Sequence, residues 1–152
     1  MHDLDEIRAA SEPVLGYVEA CREKAPRLHE QYETYLLDEE AVTKIRCHSD
    51  RVMVVVFSAE WCPDCHRNVP ILALLHREAG LDVRVFGHLM RDAKNGNRWS
   101  IPPSPPEVDI FDVTKIPYIA VLDMNGEVVG EIIENPPEGK TLEQALLDIL
   151  EA

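Results

Sequence analysis

The chain has 152 residues, of which 45% are hydrophobic and 28% are charged, the composition of an ordinary globular domain. The net charge of −13 argues against a nucleic-acid partner, because binding to a phosphate backbone depends on clustered Lys and Arg. No apolar stretch approaches the length of a membrane helix, and the acidic start lacks the basic-then-apolar order of a signal peptide. We therefore expect a single cytoplasmic domain over residues 1–152, with no membrane partner.

Helical patterns fill the first 46 residues. Apolar side chains over 3–24 fall on one helical face, and residues 27–37 repeat that pattern after Pro26. Asp38 is a suitable N-cap for a third helix that runs to Ile45. We expect residues 1–46 to form a helical extension packed on a core of residues 47–152.

A strand–helix–strand unit follows. The six-residue run Val52–Phe57 is apolar and rich in β-branched side chains, which predicts a buried strand. The pattern from Pro63 to Gly80 is helical, and residues 81–87 alternate like a second strand. A unit of this length implies two parallel strands joined by a right-handed crossover.

The last third of the chain predicts a loop, a hairpin and a helix. Residues 91–100 are polar and indicate a loop, and the prolines of 101–106 favour polyproline II. A short helical turn is expected within 107–114. Strands over 117–122 and 127–133 are joined through Asn125-Gly126, a typical hairpin turn, and Thr141 is the expected N-cap of a final helix.

The segment Trp61-Cys62-Pro63-Asp64-Cys65 places two cysteines on the first turn of the helix after the buried strand. Unpaired N–H groups and the helix dipole stabilise a thiolate there, and one helical turn is a suitable separation for a reversible disulfide. Cys62, nearer the helix start, is the expected nucleophile and Cys65 the resolving thiol. Pro63 stiffens the turn. The charge of Asp64 opposes thiolate formation, so we expect Cys62 to be only moderately acidic.

Two other interpretations of the cysteine pair stay open: half of a zinc site, or a vestigial pair in a redox-inactive binding module. The nearest further ligands, Cys47 and His48, lie at the opposite end of a strand that spans about 20 Å. We therefore predict no metal ligands. Cys21 lies on an apolar helical face, which is typical of a buried small hydrophobic residue.

Ile116-Pro117 leads directly into an apolar strand. Pro117 is either a trans proline at a strand start or part of a cis peptide that brings the backbone against the cysteines. The second arrangement would make both residues part of the site.

These features together resemble the thioredoxin superfamily. The resemblance is carried by the motif over residues 57–65, by Pro70 in the helix and by Ile116-Pro117. It implies a three-layer α/β/α fold with a central mixed sheet, Cys62 as nucleophile, Cys65 as resolving thiol and Pro117 as a cis proline. It also implies that Trp61 and the backbone around Ile116 contact the partner protein.

The sequence departs from thioredoxin at two positions of the site. Pro63-Asp64 separates the cysteines where thioredoxin has Gly-Pro, and Val56 stands where thioredoxin has a buried aspartate that acts in proton transfer. Deprotonation of Cys65 must then use water or another group, for which Asp64 and Glu60 are candidates.

The sequence thus predicts a thiol–disulfide oxidoreductase. Its expected partners are disulfide-containing protein substrates and a separate thiol reductant or reductase. No bound cofactor is expected, since the two sulfurs supply the chemistry.

Overall fold

The central strand of the fold is β2 (Val52–Phe57), whose six side chains are all buried. A computed structural model of the chain describes residues 1–90, 99 and 102–152. In it, β2 pairs in parallel with β3 (Val83–Phe86) and antiparallel with β4 (Tyr118–Asp123). The edges are β1 (Glu12–Pro13) beside β3, and β5 (Val128–Ile133) beside β4. The described residues therefore form a mixed five-stranded sheet with the order β1-β3-β2-β4-β5.

The N-terminal section is helical except for one short strand. Its helices are α1 (Leu4–Ala10), α2 (Val14–Lys24), α3 (Pro26–Thr34) and α4 (Glu39–Arg46). The side chain of Asp38 caps α4, as predicted, by accepting from the backbone of Glu40 and Ala41.

The single helical stripe expected over residues 3–24 is wrong, because α1 and α2 are separated by β1. Ser11 ends α1 in an extended conformation, and its hydroxyl donates to the Ile7 carbonyl. Pro13 lacks an N–H and is therefore suited to an edge strand and to a helix start. Helical periodicity continued across the break because both helices bury their apolar faces against the same core.

The helix after β2 is α5 (Pro63–Ala79), and ten of its residues are buried. It ends at Gly80, which adopts the left-handed conformation with φ 71°. Contacts to α2, α3, α4, α7 and β3 surround it, so this helix is the centre of the helical packing. A core helix of this kind holds its first turn, and the cysteines on it, in a fixed position.

The C-terminal part contains α6 (Glu107–Ile110), the β4–β5 hairpin and α7 (Leu142–Glu151). Gly126 takes φ 84° in the hairpin turn and donates its N–H to the Asp123 carbonyl. Thr141 and Gln144 form a capping box at the start of α7, which confirms the predicted N-cap.

The loop predicted over 91–100 lies outside the described residues, apart from Trp99. In the stretch 101–106, for which we expected polyproline II, residues 102, 103 and 106 lie in turns. Pro106 has helical dihedrals, φ −63° and ψ −19°, and begins α6 as its N-cap. Proline fixes φ but leaves ψ free, so a proline run is compatible with turns as well as with an extended helix.

No helix within 1–90, 99 and 102–152 combines the length and hydrophobicity needed to cross a bilayer. The predicted α/β class, a three-layer thioredoxin-like fold with a central mixed sheet and additional N-terminal helices, is confirmed.

Candidate active site

Cys62 is the N-cap of α5. The chain leaves β2 at Phe57 and reaches Cys62 in an extended conformation, φ −87° and ψ 118°. The Cys62 sulfur then accepts the backbone N–H of Cys65 at 3.4 Å, which is the usual bond of an N-cap side chain. Pro63 occupies the first helical position, where its missing N–H costs no intrahelical bond. The helix start therefore holds the sulfur against its own free N–H groups.

The two thiols have opposite acidities. A hydrogen bond from the Cys65 thiol lowers the pKa of Cys62 to about 7; the Cys65 N–H and the charge of Arg67 act in the same direction, against burial and the charge of Glu134. Burial raises the pKa of Cys65, and so does the adjacent Cys62. Cys62 is 6% exposed and Cys65 is 0% exposed, so only Cys62 is open to solvent. This arrangement matches a nucleophile of moderate acidity beside a protonated second thiol.

The Ile116–Pro117 peptide is cis and lies against Cys62. The Cys62 thiol faces the Ile116 carbonyl oxygen, with 3.9 Å between sulfur and oxygen. The Pro117 carbonyl accepts the backbone N–H of Glu134 at 2.8 Å. This bond joins the residue before β4 to the residue after β5. Of the two arrangements that the sequence left open, the structure has the cis peptide, with the Ile116 carbonyl next to Cys62.

Trp61 forms an apolar rim next to the nucleophile. Its side chain is 51% exposed, although its indole N–H donates to the Leu89 carbonyl at 3.1 Å. The ring stacks on Trp99 with 6.2 Å between centroids, and Trp99 donates to the Thr114 carbonyl at 2.9 Å. A large aromatic side chain that is held at one edge and open on its face is suited to contact a partner.

Comparison with known proteins identifies the family. A family model described as thioredoxin matches residues 13–103, which is more than half of the chain. The chain belongs to the thioredoxin family. Among curated proteins none matches the sequence.

Two of the solved structures similar to this thioredoxin-family chain cover nearly all of it. A protein of unknown function from Pseudomonas aeruginosa is 18% identical, with a TM-score of 0.66, over 99% of this chain and 96% of its own. An HIV epitope scaffold has the same values. A thio-disulfide isomerase from Thermus thermophilus is 28% identical over 65% of this chain and 76% of its own, with a TM-score of 0.45. The first two show the fold alone.

The charges around Cys62 differ from the sequence expectation. Asp64, expected to oppose the thiolate, forms an ion pair with Arg67 one turn further along α5. The acid that raises the pKa of Cys62 is Glu134, which follows β5 in the sequence. Glu134 pairs with Lys115 at 3.8 Å. No local pattern in the sequence connects Glu134 with Cys62, because the two meet only through the sheet.

Asn68 is a structural element of the site that the sequence analysis missed. Its buried side-chain amide donates to the Asp64 carbonyl at 2.9 Å, to the Glu134 carbonyl at 3.0 Å and to the Asn135 side-chain oxygen at 2.9 Å. These bonds fasten the first turn of α5 to the segment after β5. The available signal was an asparagine in a helix interior otherwise lined by apolar residues, where a buried amide needs partners.

The two groups considered for proton transfer at Cys65 lie against other side chains. The Glu60 carboxylate oxygen Oε1 lies beside the His88 ring nitrogen Nδ1 but is buried without a hydrogen bond to any residue that the structure describes, and the Glu60 backbone carbonyl lies 2.6 Å from the His66 ring nitrogen Nε2. Asp64 is paired with Arg67. The side chains that act on the pKa of Cys65 by hydrogen bonding are Cys62, to which the Cys65 thiol donates and which raises that pKa, and Ser58, which lowers it.

The other two cysteines lie away from the reacting sulfurs. Cys21 is buried on α2, and burial raises its pKa to about 11. Cys47 is exposed after α4, at the end of β2 opposite to the site, and its thiol donates to the Thr43 carbonyl at 3.6 Å. In the described ranges, no three His, Cys, Asp or Glu side chains are grouped to hold a metal ion.

Proposed function

We propose that this thioredoxin-family chain is a thiol–disulfide oxidoreductase that reduces or exchanges protein disulfides through Cys62 and Cys65. The observation that carries the proposal is the unequal thiol pair at the start of α5. The Cys62 sulfur accepts the Cys65 N–H at 3.4 Å and has a pKa lowered to about 7, while the fully buried Cys65 has its pKa raised.

The chemistry has two exchange steps. The Cys62 thiolate attacks one sulfur of a substrate disulfide, which gives a mixed disulfide and releases the other substrate sulfur as a thiolate. Cys65 loses its proton and attacks the Cys62 sulfur, which forms the Cys62–Cys65 disulfide and releases the second substrate thiolate. The enzyme dithiol is oxidised by two electrons and the substrate disulfide is reduced. The reverse sequence oxidises a substrate dithiol.

A protein substrate suits the surface around Cys62. The exposed face of Trp61 offers apolar contact, and the backbone at Ile116 and Pro117 lies beside the sulfur. Pro63 and Asp64 complete the rim on the helix side. A thiol that is only 6% exposed is accessible to an extended segment carrying a disulfide more readily than to a broad surface.

The proposal also covers the domain organisation, the cofactor requirement, the location and the partners of the enzyme. The enzyme acts as a single domain over residues 1–152, uses no bound cofactor and is re-reduced by a separate thiol or reductase. We place it in the cytoplasm, where four free cysteines persist in the reduced state. Neither nucleic acid nor a membrane is a partner, since the net charge of −13 repels both phosphate backbones and anionic lipid surfaces.

Insulin reduction tests the proposal. The wild-type protein should accelerate the precipitation of insulin chains in dithiothreitol, and Cys62→Ser should fall to the rate of dithiothreitol alone. Cys47→Ser is the matched control, because it removes an exposed thiol at the other end of β2 and should retain the full rate. A wild-type rate equal to that of dithiothreitol alone would falsify the proposal.

The reduction potential then distinguishes the direction of electron flow. A value of about −270 mV is that of a reductant, and a value of about −120 mV is that of an oxidant.

A further inference from the structure

A buried pair of hydroxyl groups lies behind the resolving thiol. The Tyr17 and Ser58 hydroxyls are 2.9 Å apart. The Ser58 side chain also lies near enough to Cys65 to lower the pKa of that thiol. Ser58 is 0% exposed and Tyr17 is 1% exposed. Neither residue is needed for the helix cap that activates Cys62, so the two hydroxyls are not explained by the proposed function.

The backbone fixes Ser58 beside Cys65. Its N–H donates to the Phe86 carbonyl at 2.9 Å, and its carbonyl accepts the Leu89 N–H at 3.3 Å. These bonds hold the residue between the end of β2 and the segment after β3, so rotation about χ1 is the main freedom left to the hydroxyl.

Tyr17 is positioned just as closely. A Cβ atom at Gly87 would lie 2.5 Å from the Tyr17 ring atom Cε1, so the absence of a side chain at residue 87 makes room for the ring. The phenol stays protonated because burial raises its pKa. A protonated phenol can donate to the Ser58 hydroxyl and does not act as a base.

The second exchange step requires ionisation of the Cys65 thiol, and a hydrogen-bond donor beside that sulfur would favour it. Cys65 must become a thiolate while it is buried, and burial disfavours the charged form. Val56 and the other residues of β2 are apolar, so the strand beside the site supplies no ionisable group. A hydroxyl that donates to the thiolate, and that itself accepts from a second hydroxyl, stabilises the charge without burying another one.

We propose that Tyr17 and Ser58 form a donor chain, in which Tyr17 donates a hydrogen bond to Ser58 and Ser58 donates one to Cys65, and that this chain stabilises the Cys65 thiolate in the resolving step. The proposal rests on the oxidoreductase function proposed above. In this proposal Ser58 donates to a reacting sulfur and is a catalytic residue. Tyr17 acts through Ser58 and is a positioning residue. In the step they assist, the Cys65 thiolate bonds to the Cys62 sulfur, the substrate thiolate leaves, and the proton from Cys65 ends on that thiolate or in the buffer.

Other titratable groups face the chain from the elements packed around it. The charge of Glu60, paired with His88, acts on both Tyr17 and Cys21, and it raises both pKa values. The Cys21 thiol can also accept from Tyr17. The charge of a Cys62 thiolate opposes ionisation of Cys65, but this charge is absent from the mixed disulfide, in which the Cys62 sulfur is bonded to the substrate.

Reaction with 5,5′-dithiobis(2-nitrobenzoate) separates the two steps. In a Cys47→Ser background, attack by Cys62 releases one thionitrobenzoate, and resolution by Cys65 releases a second at a rate independent of reagent concentration. Ser58→Ala should slow the second release about tenfold, the size expected for a hydrogen bond to a charged group, and should move its pH midpoint upward by about one unit. The first release should stay within about twofold of its wild-type rate.

Tyr17→Phe should slow the second release by about threefold alone and should have no further effect in the Ser58→Ala background, since its contribution passes through Ser58. Tyr118→Phe is the matched control. It removes another phenol hydroxyl from the same core, but that hydroxyl donates to Glu131 at 2.7 Å and not to the thiol chain.

If Ser58→Ala shows the same rate and pH midpoint of the second release as the wild type, the proposal is overturned. The oxidoreductase function still stands in that case, provided that the wild-type chain gives both releases. Equal slowing by Tyr17→Phe with and without Ser58 overturns the role of Tyr17. If Ser58→Ala does not fold, the test uses Tyr17→Phe alone. An unchanged rate of the second release in that variant refutes the donor chain. Failure of the wild-type chain to give a second release refutes the underlying function instead.

Discussion

The two cysteines lie in two different regions of one site. The front of the site, around Cys62, is formed by Trp61, Arg67, Ile116 and Glu134, and it is reached by solvent. The back of the site, around Cys65, is formed by Ser58 and Tyr17 and is closed.

The chemical consequence of this difference is that the two thiols differ in acidity and in access to other molecules. At the front, a helix cap and partly exposed charges favour the thiolate. At the back, burial keeps the thiol protonated and out of contact with other molecules. In the proposed function, substrates would therefore react only with Cys62, and Cys65 would react only within the protein.

Removing one sulfur at a time gives the largest expected effect. With a peptide that contains one intramolecular disulfide, Cys65→Ser should accumulate a covalent adduct on Cys62, because no second thiol releases it. Cys62→Ser should form none, since Cys65 is 0% exposed. Intact-protein mass spectrometry of both variants in a Cys47→Ser background measures the adducts. Equal adducts in the two variants would show that the front and the back do not differ in access.

The pH dependence of alkylation gives the next largest effect. The thiolate is the reactive form, so a pKa lowered to about 7 means that alkylation of Cys62 by iodoacetamide reaches its full rate above pH 7 and is lost as the pH falls below 7. Cys65, whose pKa is raised, should react more slowly by on the order of 100-fold throughout the range. Peptide mass mapping after timed quenching separates the two sites. If the alkylation rates of Cys62 and Cys65 changed with pH in the same way, the front and the back of the site would not differ in acidity.

The front of the site was partly predictable from the sequence. Residues that are close in the chain, Trp61 to Cys65, could be placed on a strand exit and a helix start by local rules alone. Ile116-Pro117 could be found because a proline before an apolar strand is unusual. Glu134 could not be found, since its approach to Cys62 depends on the pairing of β4 and β5 and on the turn that follows.

The back of the site was not predictable in the same way. Tyr17 and Ser58 are separated by 41 residues and meet because α2 packs on β3 and α5. In the sequence, Tyr17 is one residue of a helical segment and Ser58 is one residue of a short connection, and no pattern links the two. The break of the predicted helical stripe at Pro13 was missed for a related reason, since periodicity reports the buried face and not the continuity of the helix.

The smallest expected effect tests whether the front is tuned by charge. Arg67 and Glu134 act on Cys62 in opposite directions, but their side chains are 58% and 43% exposed, so solvent screens both. At pH 6, below the Cys62 midpoint, Arg67→Gln should lower the alkylation rate by about twofold and Glu134→Gln should raise it by about twofold, which corresponds to pKa changes of about 0.3 unit. Stopped-flow alkylation measures both rates.

Two controls separate a charge effect from a structural one. Glu138→Gln removes an exposed acid from the same loop and should leave the rate of Cys62 alkylation unchanged. Raising the salt to about 1 M shortens the Debye length to about 3 Å and should reduce both shifts, because the charges are exposed. If Arg67→Gln and Glu134→Gln moved the rate in the same direction, or if salt left the shifts intact, the helix cap and the bond from Cys65 would account for the acidity of Cys62 without help from either charge.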